Sequence, residues 1–441
     1  MPIDSYLEAL TYFYSYARYD PGDVTRWSLD RLQELLARLG EPHKTFPSLL
    51  IAGTKGKGST AAICESILRE AGYNTGLYTS PHLHSFRERI RLGGRLITED
   101  NLVAIANKLK PYFESTSGLT AFELITTVAF VAFADAQVDA AVLEVGLGGR
   151  LDATNAVDPA VGVITSISYD HTRILGETLS LIAREKAGII RPGALVISAP
   201  QFDEAMQMIE KVCQERQATL LVVDRDWKWE SDGYSLEGQS FSVCGEPYRL
   251  PLIGEHQAVN AVTALAAIAG LCRQTDLHVS AEAMSAGVAN VHWLGRMEIL
   301  NRQPYLVIDS AMNGYSSEKL VQTLNQYFAG SEATLIFGAS YDHPVSDMLK
   351  VLLPYAHKML VTASSHHRSE KPENLARLAA ELGYEVTPVP DVSTALEMAL
   401  VDNDRNDLIC ATGSLFVVAD VREAWLRRNN RTLPPIDPQI L

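Results

Sequence analysis

The stretch Leu49-Leu50-Ile51-Ala52-Gly53-Thr54-Lys55-Gly56-Lys57-Gly58-Ser59-Thr60 constrains the chain more than any other. It reads as a buried strand, a glycine-rich turn and the start of a helix. Gly53, Gly56 and Gly58 open backbone conformations that residues with side chains avoid. Such a turn aims successive N–H groups at one anion, with a helix N-terminus behind them. Lys57 offers a positive charge to a terminal phosphate, and Ser59 or Thr60 offers a hydroxyl to Mg2+. Ala61, Cys64, Ile67, Leu68 and Ala71 fall on one face of the helix, and Gly72 is its stop. The strict phosphate-loop pattern has glycine at position 51 and Ser or Thr directly after the lysine. Ile51 and Gly58 stand there instead, so a glycine turn that binds nothing is the competing reading.

The rest of the chain is long enough to build around this turn. Its 441 residues suggest two or three domains, and 47% apolar against 21% charged residues marks an ordinary globular protein. The 38 basic and 53 acidic residues leave a net charge of −15. That balance argues against nucleic-acid and anionic-membrane partners, so an anionic substrate needs a locally basic pocket. Cys64, Cys213, Cys244, Cys272 and Cys410 are scattered and odd in number, with no CxxC pair. They argue for a reducing compartment and against a disulfide framework or a zinc site. The N-terminal residues, Asp4 and Glu8 among them, hold no apolar signal core. The longest apolar run, 124–134, is too short to span a bilayer. A cytoplasmic protein is expected.

Taken in order, the chain reads as α/β. A helix carries Leu29, Leu32, Leu35, Leu36 and Leu39 ahead of the phosphate strand. A strand at 74–79 runs into the polar segment 80–90, long enough for a substrate flap, where Arg87, Arg89 and Arg91 meet an anionic substrate or form a solvated charge run. Helices follow at 98–113 and 119–136. The second holds Phe122 and Glu123, the latter an exposed residue or a pocket wall. The apolar run 138–145 reads as a central parallel strand ending in Glu144 and a glycine loop, where open α/β sheets place ligands. Glu144 is thus a candidate Mg2+ ligand, against the alternative of a carboxylate capping nearby N–H groups. A strand at 160–167 ends near His171, a second metal ligand, a phosphate contact or a structural residue. Lys186 follows on a helix. As a free ammonium facing a metal cleft it would repel Mg2+, so it pairs with phosphate or is modified. Short antiparallel strands are expected over 226–250, and helices at 260–271 and 281–289. After a linker at 292–298, strands at 305–309, 334–338, 358–362, 385–388 and 408–411 form a Rossmann-like unit. It has no GxGxxG of its own, which argues against an NAD site.

By this point an ordered set of motifs spans almost the whole chain. The sequence resembles the folylpolyglutamate synthase/dihydrofolate synthase family of Mur-type ATP-dependent amide ligases. The resemblance rests on Gly53–Ser59; on Thr79-Ser80-Pro81-His82-Leu83 with Phe86 and Glu88-Arg89-Ile90; on 144–155; on Asp170-His171-Thr172 continuing to 185–190; and on His256-Gln257 with Asn260, Gly295-Arg296, and Asp309-x-Ala311-x-Asn313. It implies a phosphate-loop ATPase domain, 1–296, and a smaller Rossmann-like glutamate ligase domain, 297–441. It implies that Gly53, Thr54, Gly56, Lys57, Gly58, Ser59, Thr60, Asn260, Arg296 and Asp309 bind ATP. It places Ser59, Glu144 and His171 on magnesium, and Lys57, Glu144, His171 and Lys186 in catalysis. The lysine matching Lys186 is often carbamylated in the family, which resolves the repulsion noted above. The pterin-side substrate is expected near Ser80, Pro81, His82, Arg89 and Phe122.

The implied reaction adds L-glutamate to a folate or dihydropteroate carboxylate through an acyl phosphate, in a monomeric enzyme. The C-terminal half departs from the family. Met312 stands where histidine is usual, Leu294 and Gly314 replace prolines, and His343 replaces a lysine; in the phosphate loop, Lys55 replaces an asparagine. A Mur-type ligase with a non-folate acceptor, or a weakly active nucleotide-binding paralogue, are the alternatives these departures raise.

Overall fold

The computed structural model describes residues 2–16, 28–341, 344–402 and 407–437. His343 therefore lies outside the described residues. Among the described residues seventeen strands fall into three sheets. The first eight are β1 (Ser48–Ala52), β2 (Thr75–Tyr78), β3 (Ile90–Leu92), β4 (Arg95–Leu96), β5 (Ala140–Glu144), β6 (Val161–Ile164), β7 (Leu195–Ser198) and β8 (Thr219–Val222). They form one sheet in the order β4-β3-β2-β5-β1-β6-β7-β8, parallel except for the β2–β3 and β3–β4 pairs. The phosphate strand β1 is central because every residue of it is apolar or small and buried on both faces. Leu50 and Ala52 enter one core with Leu124 and Val128, while Leu49 and Ile51 enter the other with Ile63 and Ile67. β1 lies between β5 and β6, so the chain reverses its direction of travel across the sheet at β1. The carboxyl ends of these three strands therefore open into one crevice.

Three antiparallel strands, β9 (Trp229–Ser235), β10 (Gly238–Val243) and β11 (Glu246–Leu250), make a small second sheet. The C-terminal domain is a six-stranded sheet of β12 (Glu298–Arg302), β13 (Tyr305–Ile308), β14 (Ala333–Phe337), β15 (Lys358–Val361), β16 (Thr387–Pro388) and β17 (Leu408–Thr412). Its order is β12-β13-β17-β14-β15-β16, with only β12 antiparallel to its neighbour. The fold is thus α/β in two domains, as the alternation of apolar runs and amphipathic segments implies.

Three details differ from the sequence reading. β12 extends the 292–298 linker into a strand; half-exposed side chains give it no clean alternation. Glu123 is neither exposed nor a pocket wall. It is buried, closes a capping box with Thr120 and pairs with Arg31 at 2.9 Å. The segment 80–90 is an anchored loop and not a free flap. The Glu88 carboxylate accepts the N–H groups of Leu83, His84 and Ser85 at 2.8, 2.9 and 3.1 Å. Asp437, near the end of the chain, accepts Phe86 N–H at 2.6 Å, Ser85 Oγ at 2.9 Å and Tyr6 OH at 2.7 Å.

One carboxylate therefore ties the C-terminal tail, the loop and the first helix together. Asp437→Ala is expected to lower unfolding free energy by about 1–2 kcal/mol in urea titrations, the scale of lost hydrogen bonds to a half-buried charged group. A change below about 0.3 kcal/mol would show that these bonds are replaced by water at no net cost.

Candidate active site

The crevice at the ends of β1, β5 and β6 is closed from the other side by the C-terminal domain, and residues of both domains line it. The phosphate loop forms its floor. Thr54 N–H and Lys55 N–H both donate to Ser166 O, at 2.8 and 3.1 Å, and Thr54 Oγ1 donates to Ser168 O at 3.1 Å. These bonds fasten the loop to the segment after β6. Gly56, at φ +88°, ends the turn and precedes the helix Lys57–Glu70. Glycine is required there twice over: the backbone is left-handed, and a Cβ would overlap the Asn260 side-chain carbonyl.

Basic side chains outnumber carboxylates in the crevice: Lys55, Lys57, Lys186, Arg296 and Lys319 face Glu144, Asp170 and Asp309. Lys57 is half-buried, and among the described residues its Nζ donates only to Thr54 O, at 3.3 Å, within its own loop. Glu144 is buried at the end of β5 and accepts Ser80 N–H at 3.0 Å. Burial raises its pKa, with Lys57 and then Ser80 N–H opposing. Lys186 is buried beneath the loop and donates to Gly53 O at 2.8 Å. Burial, reinforced by Lys57, pushes its pKa down to about 7. His171 is in left-handed backbone at φ +50°, donates its N–H to Asp170 at 3.0 Å, and keeps a half-exposed ring on the crevice.

The far wall comes from the linker and the second domain. Asn260 is buried on the helix Glu255–Gln274 and donates to Gln257 Oε1 at 3.1 Å. Arg296 hydrogen-bonds Ser310 Oγ; burial lowers its pKa while Asp309 and Glu144 oppose. Asp309 accepts Met297 N–H at 3.0 Å and Ala311 N–H at 2.9 Å, which fixes the turn after β13. Burial raises its pKa against the pull of Arg296. His256 is held neutral, its pKa pushed down to about 4 by burial and then by Lys319 and Arg296.

Of the residues singled out from sequence, Gly53 to Ser59, Ser80, Pro81, Glu144, His171, Lys186, Asn260, Arg296 and Asp309 line this one crevice. Thr60 does not: it is fully buried in the helix, and its hydroxyl has no hydrogen-bond partner among the described residues. His82, Arg89 and Phe122 also stand back from it. Arg89 Nε donates to His82 Nδ1 at 2.9 Å, and Phe122 fills the space a Cβ on Gly146 would need. Phe122 thus packs behind Gly146.

Sequence reasoning missed two parts of the wall. Lys55 pairs with Asp170 at 3.0 Å, and Asn313 from the second domain donates to the same carboxylate oxygen at 3.3 Å. This bridges the two domains. Ser316, Lys319 and Leu320 also reach the crevice, from the helix Gly314–Tyr327. The signal for them was the Asn313 N-cap, which accepts Ser316 N–H at 2.9 Å and begins an amphipathic helix.

The donor set suits Mg2+. One hydroxyl, one carboxylate and one imidazole leave most of the coordination to phosphate oxygens and water, as that ion prefers. The buried Glu144, which among the described residues accepts a hydrogen bond only from Ser80 N–H, is the charge a divalent cation would neutralise beside Lys57. Among the described residues no group of three or more His, Cys, Asp or Glu is placed to hold a metal ion. Among them, too, no helix is long and apolar enough to cross a membrane.

A two-domain α/β fold with a phosphate loop at the seam is the architecture of a Mur-type ligase. Residues 51–268 match the Mur ligase middle domain, and residues 295–415 match the Mur ligase glutamate ligase domain. The dihydrofolate synthase/folylpolyglutamate synthase of Bacillus subtilis is 35% identical over 406 residues, 90% of this chain and 94% of that one. The structure of E. coli FolC in complex with DHPP and ADP superposes with a TM-score of 0.86 at 31% identity, covering 97% of this chain and 99% of that one. A bifunctional folylpolyglutamate synthase/dihydrofolate synthase with Mn, AMPPNP and L-glutamate bound gives 0.83 at 30% identity, covering 97% and 98%. The chain belongs to the folylpolyglutamate synthase/dihydrofolate synthase family.

Proposed function

We propose that this protein is an ATP-dependent ligase that joins the α-amino group of L-glutamate to a dihydropteroate or folate carboxylate. The observation that carries this reading is the convergence of Lys57, Glu144, Lys186 and Arg296 on one crevice between a phosphate-loop domain and a glutamate-ligase-type domain. We divide the domains at 296/297 and expect a cytoplasmic monomer.

A carboxylate is a poor acyl donor because its leaving group would be oxide. Transfer of the γ-phosphoryl group of ATP to a carboxylate oxygen gives an acyl phosphate and ADP. The glutamate amine then attacks the carbonyl carbon, loses a proton, and expels orthophosphate as the amide forms. In this chain Gly53–Ser59 cradle the phosphates with backbone N–H groups, and Lys57 neutralises charge on the transferring group. Ser59, Glu144 and His171 would hold Mg2+, whose chemistry is to polarise and orient the phosphates. Asn260, Arg296 and Asp309 hold the nucleotide from the linker side. Lys55, Asp170 and Asn313 bridge the domains, which keeps water from the acyl phosphate. Ser80 and Pro81 face the pteroyl substrate from the crevice, and His82, Arg89 and Phe122 support that side from behind.

Lys186 is assigned a carbamate. With its pKa near 7, a large fraction of the amine is neutral at physiological pH, the form that adds CO2. The product is anionic, so the repulsion from Lys57 becomes attraction. Met312 lines the crevice and has no donor to offer an amino acid, which favours a second reading with a different amine substrate.

The acyl-phosphate route makes a specific prediction. With 18O in the acceptor carboxylate, one labelled oxygen per turnover is expected in the released orthophosphate, read by mass spectrometry. Unlabelled phosphate would exclude the route.

A further inference from the structure

Two of the three arginines in and just after the segment 80–90 are consumed by the protein itself. Arg87 Nε donates to Ile97 O at 2.6 Å, and Arg89 Nε donates to His82 at 2.9 Å. Arg91 is different. Ile90 is buried in the core that also holds Leu124 and Val128. Strand alternation therefore turns Arg91 to the opposite sheet face, over the helix Lys57–Glu70. Its partner across the antiparallel pair is Leu77, which packs with Ile67 and Leu68.

On that face lies a cavity of about 380 Å3, walled by the helix, the β3–β4 hairpin and residues 290–292. It shares no lining residue with the nucleotide crevice. Glu65, Arg69, Arg91, Arg95 and His292 are its charged or titratable groups. Glu65 is already engaged: it accepts Thr75 Oγ1 at 2.7 Å and pairs with Arg69 at 3.6 Å. Arg91 Nε is buried without a hydrogen-bond partner among the described residues. A buried guanidinium N–H left unsatisfied is unfavourable, and a bound anion or water is the usual remedy. In a chain of net charge −15, the surplus of arginines around this cavity is a local reversal of sign.

We propose that this cavity is a second anion site, taking a small oxyanion such as orthophosphate or a compact dicarboxylate on Arg91 and Arg95. Trp293 links it to the phosphate loop. The Arg91 guanidinium sits 5.4 Å over the Trp293 ring, and a Cβ on Gly58 would lie 3.0 Å from the same indole. An anion that draws Arg91 off the ring alters the packing of Trp293 against the loop that cradles ATP. Anion binding is independent of the ligase reading; an effect on turnover rests on it.

The test titrates full-length protein, saturated with MgADP so that the phosphate loop is filled. Inorganic phosphate and succinate are added in separate arms and followed by calorimetry and tryptophan fluorescence. Saturable binding is expected from at least one probe, and the stronger arm identifies the ligand shape. Affinity should fall at least about tenfold in Arg91→Met and in Arg95→Ser. Trp293→Phe should abolish the fluorescence change while calorimetric binding persists. No saturable binding of either probe below about 10 mM would overturn the site. So would equal binding in wild type and Arg91→Met. If Arg91→Met fails to fold, the exposed Arg95→Ser decides, and unchanged binding there overturns the proposal. A fluorescence change that survives Trp293→Phe overturns the link to the loop.

Discussion

Lys57→Met is expected to cut ATP-dependent turnover roughly 10^3-fold, the scale on which one preorganised charge at a transferring group acts. The expectation follows from what Lys57 does not do. Its ammonium makes one long contact, with Thr54 O, inside its own loop, and forms no ion pair among the described residues. The charge is thus free for a phosphate. The substitution keeps the length of the side chain and breaks no packing. Thermal unfolding should therefore move by no more than about 0.5 kcal/mol, as for a surface change. Rates of phosphate release with saturating substrates, beside melting curves, check both halves. A loss below tenfold would remove Lys57 from the catalytic set.

Lys186→Met is the second large effect, expected at about 10^2-fold in turnover, the loss typical of a group that positions charge beside the reacting phosphates. Wild-type activity should also fall in carbonate-free buffer and recover with bicarbonate, while Lys186→Met responds to neither. The pH direction follows from burial. The folded-state pKa is near 7 and the ordinary lysine value is 10.5, so between these limits the unfolded chain binds the extra proton. The stability contributed by this group is complete above 10.5 and is lost as pH falls toward 7. Carbamylation and activity fall as pH drops through 7. Lys186→Met should flatten the stability slope across that window in denaturant titrations at several pH values. An unchanged slope and undiminished activity without carbonate would show an ordinary structural lysine.

The nucleotide side was legible because its signals are local. A buried strand, glycines at fixed offsets and a helix fix Gly53 to Ser59 with no help from the rest of the chain. Glu144 and His171 were legible for a related reason, since each follows an apolar run that can only be a central strand. What was not legible depends on tertiary contact. Thr60 looked equivalent to Ser59, yet one residue further along a helix is a rotation of about 100°, which carries it into the core. Glu123 could be read as exposed or as a pocket wall, and only Arg31, far away in sequence, shows it buried and paired. The segment 80–90 has the composition of a mobile loop, and its anchor is Asp437 at the other end of the chain. Lys55 and Asn313 meet on Asp170 across the domain seam, which no periodicity foretells. Arg91 looked like Arg87 and Arg89 until strand alternation set it apart.

The ligase reading is tested most directly by phosphate release from ATP with purified protein, Mg2+ and L-glutamate. Dihydropteroate and tetrahydrofolate are supplied separately, and products are weighed by mass spectrometry. Acceptor-dependent phosphate release with a product heavier by one glutamyl residue is the predicted result, and the productive arm names the acceptor. ATP binding with no adduct from either acceptor would contradict the folate assignment.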